Sequence, residues 1–276
     1  MADKDTFFCN KNLLNCRGKL LDISTPIVMG ILNITENSFF DGGSFHTTNE
    51  ALKQTEKMLE EGAGIIDIGA CSTKPGSLPP SAEIESKKIT EIIQEIIMRF
   101  PETIISADTY RASVAEKAIE AGASIINDIS GGTLDDIMFQ TVAQLKVPYI
   151  LMHIKGTPLT MQENPHYENL ENEVLQYFVK RTNELRNLGV SDIIIDPGFG
   201  FGKNLGHNFQ LLRFIKDLKI LDYPILAGIS RKSMINKVLK TKPSKALNGT
   251  TVLNTIALMN GAKILRVHGN HLMVLH

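Results

Sequence analysis

Cysteine is scarce in this chain, and its scarcity excludes two common frameworks. Cys9, Cys16 and Cys71 are the only three, and none stands in a Cys-x-x-Cys spacing, which argues against a disulfide framework and a structural zinc site. His46, His166, His207, His271 and His276 likewise show no metal-ligand spacing. An excess of either charge is missing too. The chain has 29 lysines and arginines against 30 acidic residues, a formal net charge of −1, so it offers no basic face for non-specific nucleic-acid binding. No apolar run is long enough to span a bilayer. The opening stretch from Met1 to Asn12 is polar and of mixed charge, so no secretory signal is read there and a cytoplasmic location is expected. Interdomain linkers, low-complexity tracts and tight sequence repeats are absent as well, so residues 1–276 are expected to form one domain.

What is present is an alternation. With 43% hydrophobic residues the chain can bury a large core, and short branched apolar runs fall at 27–33, 64–69, 103–108, 124–129, 148–153, 192–196, 224–230 and 263–268. Between them lie stretches of helical spacing at 49–61, 81–100, 111–121, 134–145, 167–188, 207–218, 232–239 and 246–259. Glu61-Gly-Ala-Gly64 is echoed by Glu120-Ala-Gly-Ala123, where glycine ends a helix and admits the next strand. Strand-helix alternation implies parallel strands, and eight units in this length favour an α/β (β/α)8 TIM barrel. Residues 1–26 would be a lead-in, 27–268 the barrel and 269–276 a short tail. The tail follows the eighth strand and is too short for a full helix, so the eighth helix is expected to be missing or truncated.

In such a barrel the active site lies where the C-terminal ends of the strands meet their loops. Read there, the strands end in Asn33, Asp67, Asp108, Asn127-Asp128, Met152-His153, Asp196, Ser230-Arg-Lys-Ser233 and Arg266 with His268, and the second loop is Ala70-Cys-Ser-Thr-Lys-Pro-Gly76. One such residue is as easily a cap as a ligand. Eight at one rim argue for a site.

Two chemistries separate within this set. Ser72, Thr73, Lys74, Ser230, Arg231, Lys232, Ser233, Arg266 and His268 are donors and cations suited to phosphoryl oxygens. Asp108, Asn127 and Asp196 are acceptors suited to a flat ring with adjacent N–H groups. The glycine loop Asp196-Pro-Gly-Phe-Gly-Phe-Gly-Lys203 fits neither the dinucleotide fingerprint nor the P-loop. Its glycines are therefore read as turning the backbone away to leave room for the ring, and the ligand as a nitrogen heterocycle with an anionic tail.

The motifs then resemble a known family. Met29-Gly-Ile-Leu-Asn-Ile-Thr35 with Ser38-Phe-Phe-Asp-Gly-Gly43, Asp67-Ile-Gly69 with Ser72-Thr-Lys-Pro-Gly76, and Ser106-Ala-Asp-Thr-Tyr110 come first. Ile126-Asn-Asp-Ile-Ser-Gly-Gly132, His153-Ile-Lys-Gly-Thr-Pro-Leu-Thr-Met-Gln162, the Asp196 loop, Ser230-Arg-Lys-Ser233 and Arg266-Val-His268 follow in order. Together they resemble the dihydropteroate synthases, and the segment after His153 separates these from the methyltransferases that share the barrel.

The resemblance implies a transferase that condenses 6-hydroxymethyl-7,8-dihydropterin diphosphate with 4-aminobenzoate, giving dihydropteroate and diphosphate with the help of Mg2+. It further implies that Asn33 contacts the metal, that Asp108, Asn127, Met152, Asp196 and Lys232 bind the pterin, and that Arg266, Val267 and His268 lie on the diphosphate. Thr73, Pro75 and Ser233 would face the aminobenzoate. Asp108, Lys232, Arg266 and His268 would carry the chemistry. The partners implied are these small molecules, with no nucleic acid or membrane, and a homodimer left open by the short C-terminal end.

Departures are visible too. Cys71 and Lys74 replace a glutamate and an arginine usual in the second loop, and Asn37 replaces an aspartate in the first. Lysine keeps the charge but not the two-point geometry of arginine. Two other classes stay open at this point: a Schiff-base aldolase through Lys232, and a non-catalytic pterin-binding barrel. Plainer readings also attach to three residues near the rim: His153 as a packed or rim-bonded side chain, Phe201 as pocket wall or core, and Lys203 as surface cover.

Overall fold

A computed structural model describes residues 12–34, 48–70 and 79–268. Within the lead-in, strands β1 (Leu13–Cys16) and β2 (Lys19–Asp22) form an antiparallel hairpin. Eight parallel strands follow: β3 (Ile27–Asn33), β4 (Ile65–Gly69), β5 (Ile105–Asp108), β6 (Ile125–Asp128), β7 (Tyr149–Met152), β8 (Ile193–Asp196), β9 (Leu226–Ala227) and β10 (Ile264–Val267). They hydrogen-bond in the order β8-β7-β6-β5-β4-β3-β10-β9. The two edges are joined by a parallel bridge from Ile195 to Ile225 and by the Ile195 N–H donating to the Pro224 carbonyl at 2.9 Å. The sheet is thus an eight-stranded barrel of the TIM type.

The helices α1 (Thr48–Glu60), α2 (Ala82–Arg99), α3 (Ala112–Ala121), α4 (Met138–Leu145), α5 (Leu170–Asn187) and α6 (Leu205–Leu218) each connect one strand to the next. Both α7 (Ser233–Leu239) and α8 (Leu247–Met259) lie between β9 and β10. Residues 269–276, where the eighth helix was expected to be missing or truncated, lie outside the described residues. No helix among the described residues is long and apolar enough to cross a membrane.

Several elements differ in their bounds from the sequence reading. Helix α4 starts at Met138 rather than at residue 134, because the Asp135 carboxylate accepts the Ile137 and Ala112 N–H groups and folds the preceding residues into a turn. Helix α6 starts at Leu205, earlier than expected, because Asn204 caps it by accepting the His207 N–H at 2.8 Å. Strand β9 keeps only Leu226–Ala227 of the seven residues read as strand at 224–230.

The barrel interior is layered. Met29, Ile65, Ile125, Ile150, Ile194, Leu226 and Ile264, all near the starts of their strands, form one buried cluster closed from below by Leu14, Cys16 and Ile23 of the hairpin region. A second cluster, between the barrel's outer face and the helices, holds Leu32, Ile66, Ile68, Tyr149, Phe178 and Ile215 among many others. Side chains alternate along a strand, so the residue two positions beyond each inner one faces inward again. Those positions are Ile31, Asp67, Asn127, Met152, Asp196, Gly228 and Arg266, four of them polar or charged. The apolar floor therefore gives way to a polar layer at the C-terminal end.

Candidate active site

Arg266 organises this layer. Its Nε donates to Asp67 Oδ2 at 2.6 Å and its Nη2 to Asp108 Oδ2 at 2.6 Å, while Asn127 Nδ2 donates to the same Asp67 oxygen at 3.0 Å. Two strands besides its own, β4 and β5, are thus tied to one guanidinium, and β6 joins them through Asp67. Burial works against the Arg266 charge, but Asp67 and Asp108 outweigh it and raise its pKa above the usual range. Burial pushes Asp108 up to about 7, even though Arg266 pulls the other way, with the neighbouring Asp67, Glu85 and Asp128 adding to the rise. Gly69, paired with Asp108 across the sheet, leaves room for it: a Cβ there would stand 3.3 Å from the Asp108 Cβ.

Asp67 was read as a strand end but not as a site residue, and the structure makes it the acceptor shared by Arg266 and Asn127. The period-two spacing from Ile65 was the available signal. Its other oxygen, Oδ1, is buried with no hydrogen-bond partner among the described residues. Arg266 itself was expected on the diphosphate side; here two of its nitrogens are engaged by the carboxylates, and Nη1 makes neither bond.

Opposite this array stand Asp196 and Lys232. Asp196 Oδ1 accepts the Gly198 N–H at 2.8 Å, and burial raises its pKa against the pull of Lys232. Lys232 Nζ donates to the Phe199 carbonyl and lies 4.8 Å from the centre of the Phe201 ring. Burial lowers its pKa to about 8, with Asp196 opposing the shift. Gly228 sits between these groups, since a Cβ there would be 3.8 Å from Lys232 Nζ and 4.0 Å from Asp196 Oδ2. Phe201 is half-buried beside this ammonium.

The glycine loop has the shape its sequence implied. Gly198, Gly200 and Gly202 have φ of +71°, +82° and +65°, and a Cβ on Gly198 would come 2.0 Å from the His153 carbonyl oxygen. Lys203, read as surface cover, is instead 3% exposed. That reading is corrected: its Nζ meets His153 Nδ1 at 2.9 Å, the Phe201 carbonyl at 3.0 Å and the His153 carbonyl at 3.3 Å. His153 is packed inside, as expected, and burial holds its pKa well below the usual histidine value. Met152 is buried, and its carbonyl accepts the Tyr177 hydroxyl at 2.8 Å.

At the rim, the His268 N–H donates to Ser230 Oγ at 3.4 Å, while His268 Nδ1 lies 3.4 Å from the same oxygen. Val267 is buried in the barrel wall, and Ser233 is exposed at the start of α7. Asn33 ends β3, half-buried and paired with Gly69. Thr73 and Pro75, with Cys71, Ser72, Lys74 and the first loop carrying Asn37, lie outside the described residues. Asp128 faces another way and serves structure: it accepts the Ser130 and Gly132 N–H groups and the Tyr149 hydroxyl at 2.7–2.8 Å.

Fold and site together define an enzyme of the pterin-binding class: a family model described as pterin binding enzyme matches residues 29–268, the span of the whole barrel. The Haemophilus influenzae dihydropteroate synthase is 43% identical over 257 residues, covering 92% of this chain and 93% of that protein. Among solved structures, the Yersinia pestis dihydropteroate synthase in a sulfonamide drug complex superposes with a TM-score of 0.90 at 38% identity, covering 95% of each chain. The Xanthomonas albilineans enzyme in complex with 7,8-dihydropteroate gives 0.84 at 34% identity, again over 95% of each. Within the pterin-binding enzymes, this chain belongs to the dihydropteroate synthase family.

Proposed function

We propose that the chain condenses 6-hydroxymethyl-7,8-dihydropterin diphosphate with 4-aminobenzoate, a step of folate synthesis. The observation that carries this reading is the polar layer of Asp67, Asp108, Asn127, Asp196, Lys232 and Arg266, set on an apolar floor in a chain of this family. Asn127 and Asp196 hydrogen-bond the amino-amidine edge of the pterin, Met152 lines the ring, and Lys232 bonds it from the opposite side. Arg266 through Nη1, with His268 and the Val267 backbone, faces the diphosphate, and Ser233 with Thr73 and Pro75 faces the aminobenzoate.

In the reaction the bond from the pterin methylene carbon to the diphosphate oxygen breaks, and its electron pair leaves with diphosphate. The aminobenzoate nitrogen forms the new bond to that carbon and gives up a proton to the departing diphosphate or to solvent. Charge therefore develops in two places. Arg266 and His268 stabilise the departing oxygens, and ionised Asp108 balances positive charge on the ring. No protein nucleophile is required, so Lys232 acts as a hydrogen-bond donor rather than a Schiff base.

Asn33 fits a place for Mg2+, because its neutral carboxamide oxygen at the end of β3 suits an ion held otherwise by phosphate and water. Bound there, Mg2+ would offset charge on the diphosphate. The chain would work on small molecules in the cytoplasm. The test is diphosphate release from the pterin substrate, expected only when 4-aminobenzoate and Mg2+ are both supplied. Release independent of aminobenzoate would overturn the reading, and Asp196→Ala with undiminished pterin-diphosphate affinity would move the ring elsewhere.

A further inference from the structure

Lys203 is a buried cation for which the reaction above has no use. Its three partners are His153 Nδ1, the His153 carbonyl and the Phe201 carbonyl, all acceptors, and none is a carboxylate. For Nδ1 to accept from an ammonium, the imidazole proton must sit on Nε2, and the low pKa of the buried His153 agrees with a neutral ring. A lysine surrounded in this way satisfies all three of its N–H donors at one junction. The junction lies between the end of β7 and the far end of the Asp196 loop.

What that loop carries inward makes the junction matter. The His153 N–H donates to the Asp196 carbonyl at 2.9 Å, so the two strand ends are already joined below it. From there the backbone rises through Gly198, whose N–H holds the Asp196 carboxylate, and Phe199, whose carbonyl holds Lys232 Nζ. It then passes Phe201, whose ring lies beside the same ammonium, and returns to Lys203. Further contacts brace the loop at other points: Gln162 Nε2, exposed, donates to the Gly200 carbonyl at 2.7 Å, and the Tyr167 hydroxyl, buried, donates to the Gly202 carbonyl at 2.9 Å. Buried Asn208 holds it too, its Oδ1 accepting the Gly200 N–H at 2.7 Å and its Nδ2 donating to the Lys203 carbonyl at 3.2 Å, but among these described side chains Lys203 is the one that ties the loop to His153 at the end of β7.

We propose that Lys203 is a positioning residue for the pterin half of the site: by tying His153 to the Phe201 carbonyl it fixes the loop that aims Asp196 and Lys232. The proposal rests on the reading of this pocket as the pterin-diphosphate site. Charge adds to geometry here. Burial lowers the Lys203 pKa to about 7, Asp196 raises it and Lys232 lowers it. Asp196 in turn faces Lys232, Arg266 and Lys203, all of which favour its ionised form, while His153, His207 and Lys155 are the other titratable groups around the lysine. Removing the Lys203 charge should therefore make Asp196 harder to ionise.

The experiment compares the wild-type protein with Lys203→Met, which keeps the length of the side chain and removes the donors. Expected is a fall of about tenfold or more in kcat/KM for pterin diphosphate. The KM for 4-aminobenzoate should stay within about threefold, and the acid limb of the kcat/KM profile should move to higher pH. The same variant should bind pterin diphosphate more weakly by calorimetry, a readout that needs no turnover. A Lys203→Met protein with wild-type pterin kinetics and an unmoved acid limb would overturn the proposal, as would an equal loss toward both substrates. Should Lys203→Met fail to fold, His153→Gln decides: its side-chain oxygen can still accept from Lys203, so pterin binding kept within about threefold supports the tie, whereas His153→Leu binding just as well overturns it. A wild-type protein that bound pterin diphosphate but released none would sink the proposed reaction alone, because the binding comparison would still be read.

Discussion

Arg266 is shared between Asp67 and Asp108, yet it is burial that decides which protons the pocket can move near neutral pH. Asp108 is lifted to about 7 by burial despite the cation beside it, and Lys232 is lowered to about 8. A carboxylic acid is protonated below its pKa and an ammonium loses its proton above its own. If ionised Asp108 and Asp196 and charged Lys232 are all needed, kcat/KM must fall below about pH 7, with Asp196 adding to that acid limb because burial raises it too, and again above about pH 8. Asp108→Asn is expected to lower kcat by about a hundredfold and to flatten the acid side, while diphosphate binding changes by less than about threefold. Steady-state kinetics across pH, with equilibrium binding alongside, check both parts. Equal loss of turnover and binding would mean that Asp108 holds the substrate rather than balancing its charge.

At the scale of the element, the loop after β8 shows how backbone shape becomes site geometry. Gly198 is left-handed at φ +71°, and a Cβ there would stand 2.0 Å from a backbone oxygen that cannot move aside without disturbing β7. A left-handed non-glycine residue alone costs about 1–2 kcal/mol. Gly198→Ala should therefore lower stability by at least that much in denaturant titrations. It should also weaken pterin binding, because the Gly198 N–H that holds Asp196 would be displaced. Much of this was legible in the chain: the Asp-Pro step ended a branched apolar run, and the glycines marked a turn. The strand ends were legible for the same reason, since a period-two pattern over a few residues is a local signal. Lys203 was not. Its burial depends on acceptors at His153, fifty residues earlier, and no window along the sequence brings the two together. The truncation of β9 to Leu226–Ala227 was not legible either, since residues 224–230 carry the same kind of apolar run as the longer strands.

Across the whole molecule the two ends of the barrel do different work. The C-terminal end holds the carboxylates and cations, and the N-terminal end is an apolar plug in which Leu14, Cys16 and Ile23 cover the lowest inner layer. The hairpin is pinned there by polar contacts to the same end, with the Asn15 N–H on Asp192 Oδ2 at 3.2 Å and Arg17 Nη1 on the Ile119 carbonyl at 2.7 Å. Between plug and site lies the bottom layer itself, Met29, Ile65, Ile125, Ile150, Ile194, Leu226 and Ile264, packed and apolar. A cavity made in the plug should thus affect folding and leave the chemistry alone, as expected of the stability face of such a barrel. Leu14 is 2% exposed, and Leu14→Ala is expected to lower unfolding free energy by about 2–5 kcal/mol. Its kcat and its KM for both substrates should stay within about twofold of wild type at temperatures where the variant remains folded. Thermal unfolding and kinetics on the same preparation check the separation. A Leu14→Ala protein of normal stability would show that the hairpin is not a structural plug, and one of normal stability but impaired turnover would couple the two ends of the barrel.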